Sequence, residues 1–354
     1  MLFFKTNISL IIHSRSPGLS ACQIFLIDWK FMRIIDFEFE GGGRFDAVSA
    51  LLQFYPNYSF KRRLLKGINC LNQLGPIISS RQIKKLAAVY DRLPCLSIGG
   101  KRTFLLHKVN QNGRVYIFDQ NSDGKFTKIT KLALNNTAAL GLKRESEVLK
   151  MLAGRTEFQI PEVKLYEDWK QGGIIQLSAV CFDHLIHDKR QNLPETLLEA
   201  IAKLRNPSAP KTLPSDLIDG WQIARKRAST PLICKIANKI QLDNHFEVSA
   251  AHRDLGSENV FYSKNSSDIN EFTLIDWEFF SETAPAMTDQ VSLWLGHHHR
   301  HIKGWGKPRI NMLASDFLFD FKNTPGGRAS AVLALLHLAE MGIDLAQFIT
   351  GERK

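Results

Sequence analysis

The stretch that most constrains this chain is residues 250–294, AAHRDLGSENVFYSKNSSDINEFTLIDWEFFSETAPAMTDQVSLW. Asp254 is followed by the amide Asn259 and then by two runs that read as strands, Val260-Phe261-Tyr262 and Phe272-Thr273-Leu274-Ile275. Asp276 stands where the second run ends. A short hairpin between them folds the amide and the second carboxylate towards each other. This order supplies what phosphoryl transfer from a nucleotide requires. One carboxylate accepts the proton of an acceptor hydroxyl, while an Asn and a second carboxylate hold Mg²⁺ on the phosphates. Taken singly, Asp254 reads as a residue of a capping turn ahead of Gly256, and Asp276 as an ordinary strand-end residue. The set of three points to chemistry.

HRDLGSEN followed by LIDWE resembles the aminoglycoside phosphotransferase and choline kinase branch of the protein-kinase-like fold. His-Arg-Asp is the protein-kinase spelling of the catalytic loop, and Ile-Asp-Trp-Glu in place of Asp-Phe-Gly points to the small-molecule branch. The resemblance runs over about residues 96–295 and is most specific at 252–278. It implies an α+β, two-lobed protein-kinase-like fold, with a small β-rich N-lobe at 96–182 and a mainly helical C-lobe at 183–354. Residues 1–95 would be an N-terminal extension, dispensable for nucleotide binding. The implied cofactors are ATP and Mg²⁺. Asp254 would be the base, and Asn259 and Asp276 the metal ligands.

The same resemblance implies that Glu278 reaches the metal or bonds a neighbouring loop. His252 and Arg253 would brace the catalytic loop. Asp289 would open a helix and hold that loop's backbone. Lys131, on the strand Lys128–Leu134, would neutralise the α- and β-phosphates, with Lys128 the competing choice. Its carboxylate partner on the next helix would be Glu145 rather than Glu147. Gly113, in Asn110-Gln111-Asn112-Gly113, is the one glycine of the phosphate loop, where protein kinases carry a run of them. Ser257 has no base pattern beside it and is not read as a nucleophile.

The hydrophobic pattern agrees with that order. Residues 103–109, 114–118 and 126–134 read as strands joined by Asn112-Gly113 and Asn121-Ser122-Asp123-Gly124 turns. A helix over 137–152 and strands near 163–167 and 174–180 follow. Helices are expected over 194–204, 217–227, 231–240, 312–321 and 329–341. Upstream, the first 30 or so residues read as irregular, 34–40 as a strand, and 46–74 and 80–93 as helices.

Composition bounds the remaining possibilities. The chain has 354 residues, 44% hydrophobic and 23% charged, which is the balance of a globular protein. Its formal charge of +11 bears on partners rather than fold. With no zinc-finger spacing and no RNP-like strand, no nucleic-acid partner is expected. No apolar run approaches a membrane span, so no transmembrane segment is expected. Five scattered cysteines and a poor match to a signal peptide suggest reduced thiols in a cytoplasmic protein.

The cluster His297-His298-His299-Arg300-His301 reads as a solvated or substrate-facing basic patch, with transition-metal binding the alternative. A basic wall would favour a neutral or anionic acceptor, such as a saccharide. The function read from the sequence is therefore transfer of the γ-phosphoryl group of ATP to a hydroxyl of a small molecule or saccharide. A pseudokinase or nucleotide-binding scaffold, and a protein kinase, are the alternatives. The short stretch between Asp276 and Pro285 leaves little room for a protein kinase's activation segment.

Overall fold

The computed structural model describes residues 10–12, 22–29, 32–38, 101–107, 114–120, 126–133, 135–169, 172–180, 185–186, 193–227, 246–256, 259–263, 268–302, 307–324 and 327–340. The helices expected over 46–74, 80–93 and 231–240, and Gly113, lie outside these residues. The chain divides into two compact units. One comprises Met1–Lys150 with Pro161–Ile186, the other Met151–Ile160 with His187–Lys354.

The first unit is built on one sheet. Its strands are β1 (Leu10–Ile12), β2 (Cys22–Trp29), β3 (Met32–Glu38), β4 (Lys101–His107), β5 (Arg114–Gln120), β6 (Phe126–Ala133), β7 (Val163–Trp169) and β8 (Gly172–Ser178). They lie in the order β1-β2-β3-β4-β5-β6-β8-β7, and every neighbouring pair is antiparallel. The first 30 residues, expected to be irregular, thus contain two strands of this sheet. The sequence hid them because β2 and β3 are separated only by Lys30 and Phe31, with no Gly or Asn to mark a turn. A short strand, β9 (Leu185–Ile186), follows.

Helix α1 (Asn136–Leu152) owes its form to spacing and capping. Ala138, Leu142, Glu145, Leu149 and Leu152 recur at three and four residues and are buried, whereas Lys143, Arg144, Glu147 and Lys150 are exposed. The Asn135 side-chain oxygen accepts the Ala138 N–H at 2.8 Å, satisfying one donor that the helix start leaves open. Gly154, at φ +74°, terminates the turn beyond the helix in a conformation that suits glycine.

The second unit holds α2 (Glu195–Ala202), α3 (Ser215–Arg227), β10 (Val248–Ala251), β11 (Val260–Ser263), β12 (Thr273–Leu274), β13 (Ser281–Pro285), α4 (Thr288–Ile302), α5 (Lys307–Asp320) and α6 (Gly327–Glu340). Helix α6 is its centre. Residues 331–338 are all buried, the mark of a helix enclosed on every side. It packs against α3, α4 and β13. Trp221, Val248, Val291, Leu295, Phe317 and Phe321 share its core. No helix among the described residues is long and apolar enough to cross a membrane.

The sheet predicts a consequence of truncation. β3 pairs with β4 from Met32↔His107 to Phe37↔Arg102. A chain beginning at residue 96 would expose that edge, and an unpaired edge templates pairing with other chains. We expect such a protein to self-associate, seen by size-exclusion chromatography with light scattering. A monomeric truncated chain would show that β3 is not what protects β4.

Candidate active site

The loop after β10 is fixed from its backbone outward. β10 pairs antiparallel with β13, Val248 opposite Pro285 and Ala251 opposite Ser281, with a register shift between Ser249 and Ala251. Asp289, in the first turn of α4, accepts the N–H of His252 at 2.9 Å and of Arg253 at 2.8 Å, one on each carboxylate oxygen. Burial pushes its pKa up to about 6, against the opposing pull of those two N–H groups and of the Arg253 charge. Thr288 donates to the Pro285 carbonyl at 2.6 Å and steadies the entry to the helix.

The three polar residues singled out in the sequence are brought together in this unit. The Asn259 amide nitrogen donates to the Asp254 carbonyl at 2.7 Å and to Asp254 Oδ2 at 3.2 Å. With its nitrogen so engaged, the Asn259 side-chain oxygen is turned away from Asp254. β11 and β12 form the hairpin, Val260 opposite Leu274 and Phe261 opposite Thr273. The ladder is extended by the Ile275 N–H, which bonds the Asn259 carbonyl at 3.0 Å. Asp276 is the next residue, and its φ of 67° and ψ of 55° turn the chain sharply there.

Aromatic packing holds that turn. Trp277 is fully buried and donates its indole N–H to the Leu274 carbonyl at 3.0 Å. Its ring stacks with Phe158 at 5.9 Å and meets His252 edge-on at 4.6 Å. His252 Nε2 lies 2.9 Å from the Ile275 carbonyl. A carbonyl only accepts, so Nε2 carries the proton and the imidazole ties the loop to the segment ahead of Asp276. Glu278 is buried as well.

Arg253 is the joint between this loop and the helical core. Its φ is 69°. Its Nε donates to the Phe279 carbonyl, and Nη1 lies 3.2 Å from His337 Nε2 on α6. Burial, reinforced by the Arg253 charge, pushes the His337 pKa down to about 3. The sequence reading passed over His337, although a lone His within the apolar run 331–338 was the available signal.

In the first unit, Lys131 Nζ sits 2.7 and 2.9 Å from the two Glu145 carboxylate oxygens. The side chains are 7% and 0% exposed, so this is a buried ion pair joining β6 to α1. Tyr116, directly opposite Lys131 on β5, places its ring 5.9 Å from the ammonium. Lys128 and Glu147, the competing choices, are both exposed.

The His-rich segment lies in the C-terminal half of α4. His298 stacks on Trp294 at 3.8 Å, and its Nδ1 bonds the Trp294 carbonyl at 2.9 Å. The side chains of His297, His299, Arg300 and His301 lie outside the described residues. Among the described residues no group of three or more His, Cys, Asp or Glu side chains gathers into a metal site. An Mg²⁺ site needs fewer, because substrate phosphates and water complete its octahedron.

No protein-family model matches this chain, and no curated protein matches it. Among solved structures, it is similar to an aminoglycoside 3'-phosphotransferase of type VIII at 15% identity and a TM-score of 0.45, over 73% of this chain and 99% of that one. It is also similar to an aminoglycoside 2'-phosphotransferase-IIIa in a GDP complex, at 10% identity and a TM-score of 0.46, over 77% and 96% of the two chains. A macrolide 2'-phosphotransferase from Brachybacterium faecium is similar at 13% identity and a TM-score of 0.38, over 69% and 82%. At such values these likenesses decide nothing about activity, which has to be read from the residues.

Two predictions follow from these contacts. Lys131→Met or Glu145→Gln alone leaves one member of a buried pair without its partner, and each should cost about 3–5 kcal/mol. The double variant should cost much less than the sum. Urea denaturation of the four proteins measures this, and additive losses would show the pair to be uncoupled.

The second concerns acid. The folded-state pKa of His337, about 3, lies below its ordinary 6.5, so between those values the unfolded chain binds the proton and the folded chain does not. Its contribution to stability is full above 6.5 and is lost as pH falls towards 3. His337→Gln does not titrate. From pH 7 to 4 its unfolding free energy from urea denaturation should therefore gain on the wild type, by up to about 1.4 kcal/mol per pH unit. A constant difference would place His337 in a solvated setting.

Proposed function

We propose that this chain is a Mg²⁺-dependent phosphotransferase that moves the γ-phosphoryl group of ATP to a hydroxyl of a small molecule or saccharide, on a two-lobed kinase-like frame. The observation that carries this reading is the meeting of Asp254, Asn259 and Asp276. Asn259 bonds Asp254 through its side chain and Ile275 through its backbone, one residue before Asp276.

Asp254 is half-buried, with one carboxylate oxygen held by the Asn259 amide. As the acceptor oxygen bonds to the γ-phosphorus, the bond to the bridging oxygen breaks, ADP leaves, and the acceptor's proton passes to Asp254. The Asn259 side-chain oxygen and the Asp276 carboxylate are hard oxygen donors of the kind Mg²⁺ takes, and they are the residues that would hold it. When bound, that ion neutralises charge on the phosphates. Lys131, kept in place by Glu145, is proposed to bind the nucleotide phosphates.

The segment after Asp276 favours a small acceptor over a protein. Trp277–Phe279 forms a tight turn and β13 begins at Ser281, so no extended activation segment separates Asp276 from Pro285.

Asp254→Asn should leave ATP binding nearly intact and lower turnover by on the order of 10²-fold or more. Near wild-type turnover, measured against sugars, amino alcohols and aminoglycosides, would remove Asp254 from the reaction. Asp276→Ala should abolish the strengthening of ATP binding by Mg²⁺, measured by calorimetry with and without the ion. Retention of the full Mg²⁺ effect would place the metal elsewhere.

A further inference from the structure

We propose that His337 is a positioning residue for the phosphotransfer reaction, acting by accepting a hydrogen bond from Arg253 and so fixing the turn that presents Asp254. The inference rests on the phosphotransferase reading for its kinetic part and on geometry alone for the rest.

Arg253 directly precedes Asp254 and has a left-handed backbone that a side chain with a Cβ adopts only under constraint. The constraint is applied at both ends of the residue. Its N–H is held by Asp289 at 2.8 Å, and its guanidinium reaches the Phe279 carbonyl and His337 Nε2 at 3.2 Å. Arginine has only donors, so His337 Nε2 accepts and the proton of the neutral ring is on Nδ1. The depressed pKa of His337 keeps that acceptor available throughout the neutral range.

The support behind the contact is stiff. His337 is 6% exposed and lies on α6 between Leu336 and Leu338, both buried. A histidine there must give up water, which costs free energy unless a partner replaces it. Arg253 is that partner, and it links the loop to a helix whose residues 331–338 are all buried. Near-attack geometry is demanding: a displacement of about 1 Å can cost on the order of 10² in rate. Loss of the His337 acceptor should therefore reach Asp254 without touching nucleotide binding.

The test compares His337→Leu, which removes the acceptor, with His337→Gln, whose side-chain oxygen can accept from Arg253. Turnover is read as Mg·ATP consumption with water as the acceptor, and binding with a fluorescent ATP analogue. His337→Leu should lower kcat about tenfold with KM and analogue affinity unchanged, and His337→Gln should restore kcat to within about threefold of wild type. Arg253→Met combined with His337→Leu should lose no more than Arg253→Met alone.

Hydrogen exchange of the His252 and Arg253 amides gives a readout independent of activity. Exchange should be faster in His337→Leu than in His337→Gln, even if wild-type protein consumes no ATP. No ATP consumption with water or with any of the sugars, amino alcohols and aminoglycosides would overturn the phosphotransferase reading while leaving the positioning contact to be judged by exchange. Equal exchange in the two variants, or wild-type kcat in His337→Leu, would overturn the proposal.

Discussion

The geometry of the candidate site depends on one buried carboxylate. Asp289 places an oxygen on each of two successive backbone N–H groups, His252 and Arg253. A non-glycine residue in the left-handed region costs roughly 1 kcal/mol or more. All three such residues among those described, Arg253, Asp276 and Met287, occur in or beside this site. Hydrogen bonds to a charged group contribute about 1.5–3 kcal/mol each, enough to offset strain of that size. Met287 turns the chain into α4, and so brings Asp289 under the loop it holds. Strain at one end of the arrangement thereby creates the acceptor that relieves it at the other.

A different compromise is made at Lys131 and Glu145. Taking both charges out of water costs more than a pair of packed apolar side chains would. What the pair provides is a fixed position for an ammonium on β6. A lone Lys on that strand would extend into solvent, as the exposed Lys128 does three residues earlier. The alternation of a strand puts those two lysines on opposite faces. Only the one facing α1 meets a carboxylate, and the helix period settles which, since Glu145 lies on its buried side and Glu147 does not.

Much of this could be read from the sequence because the site consists of polar residues at fixed spacings within apolar strands. The hairpin at Val260 and Leu274 and the run of α1 follow from local pattern, whereas the choice of Glu145 comes from the family resemblance. What escaped was made by partners distant in sequence. β10 is four residues, Val-Ser-Ala-Ala, and becomes a strand through β13, whose Ser-Glu-Thr-Ala-Pro has no alternation of its own. β2 and β3 lack turn residues between them. His337 sits in a helix too uniformly apolar to show a face, and its partner is 84 residues away. Local pattern cannot report such a pairing.

The short segment beyond Asp276 bears on how such a site would be controlled. Trp277 fills the core against Phe158, the Phe279 carbonyl accepts from Arg253, and Phe280 packs on Trp277 at 5.6 Å. Ser281 to Pro285 are then spent on β13. Phosphorylation orders a segment when it adds charge to a loose chain that can reach a cation. Here the Arg253 guanidinium already has the Phe279 carbonyl and His337 as acceptors, Arg155 already faces Glu282 at 3.7 Å and donates to the Leu204 carbonyl, and the segment itself is paired with β10. A phosphate on Ser281 or Thr283 would bring two charges into that pairing beside the buried Ala284 and Pro285. It would disrupt the pairing that supports the loop rather than complete it.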